Sequence, residues 1–160
     1  MNTAELYEAY KTKMQKIADL KYASAVLEWD QETYMPAGSA ETRSRQIATL
    51  NELAHTFLTD ETLGNLLKEL NAKDDLLPEQ KKNAALSIAD YERNTKLTPA
   101  FVREISESVH KAYHAWVKAR KENNGKDFEA PLQKLVDLKK QQAEMFGYTH
   151  HPYDALMNEY

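Results

Sequence analysis

Two imidazoles four residues apart, His110 and His114, have the spacing that lets two side chains of one helix share a metal ion. Lys111 stands where the zinc-hydrolase motif of that spacing carries a glutamate, and an ammonium cannot take a proton from metal-bound water. At 100° per residue both histidines also fall away from the apolar stripe of their helix, which predicts a solvated polar face, with Glu107 as the natural third ligand if a metal were held. His150-His151-Pro152 reads as a helix start at which an imidazole caps backbone N–H groups. His55, isolated between Ala54 and Thr56, reads as half-buried and hydrogen-bonded. The chain has no cysteine, hence no thiolate ligand and no thiol nucleophile. Its four glycines stand singly at positions 38, 64, 125 and 147, so there is no phosphate-cradling loop, and no nucleophile with a base partner can be assembled.

A second cluster, Glu28, Asp30 and Glu32, breaks a local rule. These carboxylates end an apolar-periodic segment, and acids near a helix C-terminus oppose the negative end of the helix dipole by about 0.3–1 kcal/mol each. Such departures mark strained or functional sites, or else solvated acids paired across the turn to Arg43 or Arg45. Alternate helical positions point in different directions, so spacing alone does not make the three an acid/base set.

The elements that must position these groups are helices. Tyr7, Tyr10, Met14, Ile17, Ala18, Tyr22, Ala25 and Trp29 recur at steps of three and four, predicting one amphipathic helix from Thr3. Unbroken to Asp30 it would be about 40 Å long, and a break near Lys21 would shorten it. Trp29 and Trp116, both on apolar stripes, are expected in the core. Met35-Pro36-Ala37-Gly38 turns the chain, Pro36 biasing Met35 away from helix and Gly38 permitting positive φ. Ser39 is the expected cap of a second helix over 39–58, and Thr59 of a third, with Leu66, Leu67 and Leu70 facing in. Pro78 opens a fourth, whose Ala84, Ala85, Ile88 and Ala89 make a small-residue face. Thr98-Pro99 starts a fifth, carrying Val102, Ile105, Val109, Tyr113 and Trp116 to a stop at Asn123-Asn124-Gly125. A sixth begins near Asp127 with Leu132, Leu135, Val136, Ala143 and Phe146 inward and Gly147 as cap; a short seventh follows Pro152. The expected fold is therefore all-α, a bundle of six or seven helices in one domain over 1–160 with a long first helix.

Of the 160 residues 42% are hydrophobic, enough for a real core. A net charge of −4 leaves no basic face for a phosphate backbone, which argues against nucleic acid, and no run approaches the roughly 20 apolar residues of a membrane span. The first residues carry no basic segment followed by an apolar run, so a cytoplasmic protein is expected.

Leu27-Glu28-Trp29-Asp30 with Thr33, then Met35-Pro36 and Gly38, then Arg43 and Gln46, resembles the opening of the thermostable carboxypeptidases of the Taq and Pfu type. The likeness continues in order through Asp90-Tyr91-Glu92-Arg93, Thr95-Lys96-Leu97, Ala115-Trp116, Ala119-Arg120-Lys121, Phe128, Pro131-Leu132, Gly147-Tyr148 and Pro152-Tyr153-Asp154-Ala155-Leu156. It implies a nearly all-helical metallopeptidase with a long groove, releasing single amino acids from peptide C-termini with zinc or cobalt. The family's His-Glu-x-x-His motif and its downstream glutamate ligand are not among these residues, so no metal ligand or catalytic base carries over and no cofactor is expected on this chain itself. By resemblance the chain is the N-terminal part of such an enzyme, inert alone, with the rest of the carboxypeptidase chain and the peptide substrate as partners and a homodimer as a further one. Trp29, Asp30, Thr33, Met35, Pro36 and Gly38 are then the residues expected to serve the groove or to contact the catalytic half. The competing expectation is a free-standing helical binding or assembly module without catalysis.

Overall fold

The structure, a computed structural model, describes residues 1–157, with the side chain of Ala37 left aside. Helix α1 spans Thr3–Thr33 without interruption at Lys21. Asn2 caps it by accepting from Glu5 N while the Glu5 carboxylate accepts from Asn2 N, so two of the unpaired first-turn donors are satisfied reciprocally. The backbone N–H groups of Tyr34 and Met35 both close on the Asp30 carbonyl, after which Pro36 cannot continue the ladder.

A single 3-10 turn, Ala37–Ser39, leads directly into α2, Ala40–Leu58. The chain thus enters α2 already wound, and Ser39, at φ −94° and ψ −2°, makes no side-chain cap. Gly38 makes no use of its freedom at positive φ. Helix α3 is Glu61–Asn71, and its cap is Asp60, which accepts from Leu63 N. Thr59, the expected cap, instead closes α2, its N and Oγ1 each donating to the His55 carbonyl at 2.9 Å. Helix α4, Pro78–Asn94, and α5, Pro99–Glu122, begin with proline, and Thr98 caps α5 through Phe101 N. Asn123 ends α5 in the left-handed region at φ 50°. Helix α6, Lys126–Phe146, stops at Gly147, whose φ of 80° disfavours other residues. Helix α7, Pro152–Leu156, is capped by His151, whose Nδ1 accepts from Tyr153 N. Seven α-helices and no strand occur among the described residues.

Helix α1 packs on α2, α2 on α5 and α5 on α6, so the four long helices stand in a row. The α3–α4 hairpin packs on α1, and α7 closes on α6. The row separates two apolar clusters. Leu6, Tyr10 and Ile17 meet Leu58, Leu63, Leu67, Leu70, Leu76 and Ala84 in the first; Leu97 and Phe101 meet Leu138, Ala143, Phe146 and Ala155 in the second. Gly64 is part of the first because only a hydrogen leaves room for the Tyr91 ring against α3.

A helix in a row has neighbours on two sides, and this moves several expected faces. The inward positions of α1 are Tyr10, Ile17, Ser24 and Gln31, every seventh residue. Tyr22, Ala25 and Trp29 therefore fall outside, Trp29 being 58% exposed rather than in the core. Trp116, Leu132 and Val136 are likewise exposed, whereas Ala112 and Ala119 of α5 and Leu138 of α6 are buried. On α4 the buried residues are Ala84 and Ser87, leaving Ala85 and Ala89 in solvent.

Candidate functional site

Between the two clusters the helix row is joined by polar side chains. Ser24 on α1 donates to Asn51 Oδ1 on α2 at 3.0 Å, and Asn51 Nδ2 donates to Ser106 Oγ on α5 at 3.1 Å. Arg103 on α5 reaches Glu52 at 2.8 Å and Glu107 at 3.1 Å. The buried His55 Nε2 donates to the Leu97 carbonyl at 2.9 Å. Gln31 and His110, 9% and 6% exposed, meet at 3.0 Å between Nε2 and Nδ1. Polar groups this buried are costly unless paired, so each bond also fixes the spacing of the helices it spans.

One face of this joint opens as a groove of about 510 Å³. Leu58, Leu97, Phe101, Val102, Ile105 and Val109 make its apolar wall. Glu28, Gln31 and Glu32 of α1, with Asn51, His110 and Tyr113, make a polar ledge in the same groove. Gln31 Oε1 is buried and has no hydrogen-bond partner. An apolar body with a few convergent polar groups is the usual form of a small-ligand or peptide site.

Burial holds His110 below the ordinary imidazole range; Glu28 pulls it up, His114 pushes it down, and Glu32 pulls it up. As a neutral ring it accepts the Gln31 amide at Nδ1 and carries its proton on Nε2. Burial lowers His55 too, the Leu97 carbonyl acting against it. Both titrate near 6.5 once unfolded, so their contribution is complete above that pH and is lost as pH falls through 6.5 towards the native values, where the unfolded chain binds more protons. The urea midpoint is expected to be lower at about pH 5.5 than at about pH 7.5, and the difference to shrink in His110→Gln. A wild-type midpoint equal at the two pH values refutes this.

The turn residues singled out by sequence lie elsewhere. Asp30 is ion-paired with Arg43 of α2, whose guanidinium also donates to the Leu27 carbonyl at 3.1 Å. The positive charge missing from the last turn of α1 is thus supplied from α2, which accounts for an acid at that end. Thr33 Oγ1 donates back to the Trp29 carbonyl at 2.7 Å, and the Trp29 and Tyr34 rings meet edge-on at 5.5 Å. Met35 is half-buried, Pro36 and Gly38 exposed, and none of the six residues lines the groove. Of the residues the sequence singled out, Glu28, Glu32, His55 and His110 do line the groove, whereas Gln31 was missed because it is an uncharged polar residue on a helix read by its apolar stripe. The sign that could have found it is polar residues continuing the seven-residue step of Tyr10 and Ile17.

His110, expected on a solvated face, is buried, because the side of α5 that carries Ser106 and His110 packs on α2. His110 opens on the groove, whereas His114 opens on a second cavity with Ser44, Arg45 and Lys111. With His110 Nδ1 engaged and no group of three or more potential ligands among the described residues, these side chains do not fit a metal ion. No described helix is long and apolar enough to cross a membrane.

The family model described as carboxypeptidase Taq (M32) metallopeptidase matches residues 9–160. Thermostable carboxypeptidase 1 of Pyrococcus furiosus is 30% identical over 148 residues, which are 92% of this chain and 30% of that protein. Among solved structures, that of BsuCP superposes with a TM-score of 0.94 at 27% identity, over 98% of this chain and 32% of its own. That of CHT gives a TM-score of 0.74 at 51% identity, over 98% and 32%. The chain spans about a third or less of the length of the curated relatives it matches, 30% of one and 29% of another.

Proposed function

Since the chain belongs to the carboxypeptidase Taq (M32) metallopeptidase family, we propose that it forms a wall of the substrate groove in a metallocarboxypeptidase that releases single amino acids from peptide C-termini. The observation that supports this reading is the groove between α1, α2 and α5, a concave strip with an apolar wall and a polar ledge. An extended peptide offers one N–H and one C=O per residue. Gln31 Oε1 can accept from the first and His110 Nε2–H can donate to the second, while the apolar wall takes side chains. The zinc or cobalt of such an enzyme, and the base that acts with it, come from outside these residues, so the role assigned here is to bind and orient the peptide. Trp29, Asp30, Thr33, Met35, Pro36 and Gly38 fall at the exposed end of α1, where they suit a contact with the catalytic part of the enzyme rather than with the peptide.

The test uses the complete reading frame that carries this sequence. Val109 lines the groove and is partly exposed, so Val109→Trp narrows the groove without disturbing the core. It is expected to lower kcat/KM for peptides of five or more residues about tenfold, mainly through KM, with a smaller effect on dipeptides. Trp29→Ala is expected to lower kcat without that length dependence. Val109→Trp kinetics equal to wild type at every length would remove the groove from the substrate path, and unchanged Trp29→Ala kinetics would reduce the turn to scaffold.

A further inference from the structure

The ledge of the groove is more particular than a peptide backbone requires. Glu28 and Glu32 stand one turn apart on the same face of α1, and both act on the ring of His110. Glu28 Oε1 has a weak contact, 3.3 Å, with the Ser24 hydroxyl, which already donates to Asn51. Gln31, on the same stretch of α1, lines the groove as well, and its Oε1 is unpartnered on a side chain about nine-tenths buried. An amide oxygen in that position has lost its water without gaining a donor, a cost that a bound donor would remove. Among the described lining residues Lys21 is the one cation other than histidine, set against two carboxylates, and His110 and His55 are neutral at physiological pH. Around this acceptor cluster the wall is aliphatic and aromatic, formed by Val102, Ile105 and Val109.

Three acceptors beside an apolar wall suit a group with an apolar stem and a positively charged donor head. We propose that the groove holds an ammonium or guanidinium group of the peptide substrate, seated between Glu28, Glu32 and Gln31 Oε1 with its aliphatic stem along Val102, Ile105 and Val109. This rests on the groove reading given above and names the substrate chemistry that the groove selects. Lysine and arginine side chains and the peptide's own α-amino group share that chemistry. The partly open site keeps the head hydrated enough to enter, while the carboxylates favour it over an uncharged side chain.

The test measures kcat/KM of the complete enzyme on matched peptides. One series carries lysine or norleucine at successive internal positions with an acetylated N-terminus; the other carries norleucine throughout with the N-terminus free or acetylated. At low ionic strength one charged member is expected to be preferred about tenfold over its neutral partner, the preference falling at 0.5 M salt, with a Debye length of about 4 Å. In Glu28→Gln/Glu32→Gln that ratio is expected to fall towards 1, and Gln31→Leu is expected to reduce it partway. A preference confined to lysine peptides assigns the site to a side chain, and one confined to free N-termini assigns it to the α-amine; either supports the proposal. Absence of any charge preference overturns it, as does a preference that survives the double substitution. Should the double variant lower kcat/KM for charged and neutral peptides equally, the groove still binds peptide and only the cation site is refuted, whereas the groove reading itself falls on the Val109→Trp result.

Discussion

Gly64→Ala is expected to destabilise the fold by about 2 kcal/mol and to lower Tm by about 4–8 °C. On an exposed helix this substitution would stabilise by about 1 kcal/mol, because alanine is the better helix former. Here a Cβ would overlap Cζ and Oη of Tyr91 and come within 2.8 Å of its Cε1. The ring packs against the cluster of Leu63, Leu67 and Leu70, so moving it aside strips cover from that cluster, and holding it forces α3 and α4 apart. Both routes cost energy. In a Tyr91→Ala background the obstruction is gone, and Gly64→Ala should change sign and become neutral or stabilising. Urea unfolding of the four proteins measures the coupling, and equal effects of Gly64→Ala in both backgrounds would refute the packing account.

Arg43→Met is the second large effect, expected to cost about 1–2 kcal/mol. The guanidinium of Arg43 both pairs with Asp30 and donates to the Leu27 carbonyl, and its side chain is only 18% exposed against 32% for Asp30. Removing it leaves the Asp30 carboxylate facing the negative end of α1 without compensation. The double variant Arg43→Met/Asp30→Asn should therefore be more stable than Arg43→Met alone, with the difference shrinking in high salt. Partial exposure keeps the value at the lower end of what charged hydrogen bonds contribute. A double variant no more stable than the single one would show that Arg43 acts through its aliphatic stem.

Much of this architecture can be read from the residues that stop and start helices. Thr98-Pro99, Asn123 and Gly147 do locally what their chemistry dictates, and the first helix runs its full length because nothing between Thr3 and Thr33 interrupts it. The ordered motifs from Leu27 to Leu156 likewise point to the carboxypeptidase family to which the chain belongs. Faces were less legible. An apolar stripe predicts burial when a helix leans on one surface, but α1, α2, α5 and α6 stand in a row, and the inward side of α1 turns from Tyr10 and Ile17 to Ser24 and Gln31 while Tyr22 and Trp29 stay outside. Caps at neighbouring positions were interchangeable for the same local reason. Thr59 and Asp60 can each accept a backbone N–H, and only the geometry of the α2–α3 corner gives Thr59 to the end of one helix and Asp60 to the start of the next. His110 was misplaced because its burial comes from α2 and its partner, Gln31, from α1, neither of which is near it in sequence.

The helix row also bears on how the chain reaches its native state. In this fold α1 with α2, α3 with α4, α5 with α6 and α6 with α7 are contacts between helices adjacent along the chain. Each such hairpin closes a short loop, and pairings of that kind form within microseconds to milliseconds. The joint of α2 with α5 is different, since Asn51 and Ser106 are 55 residues apart and a hydrogen bond between buried or half-buried polar groups runs across it. Polar bonds gain little until water has left, so they reward the chain only after both apolar clusters have formed. The expected rate-limiting event is therefore the docking of two preformed halves across the joint that lines the groove, which makes the groove the last part of this fold to be completed.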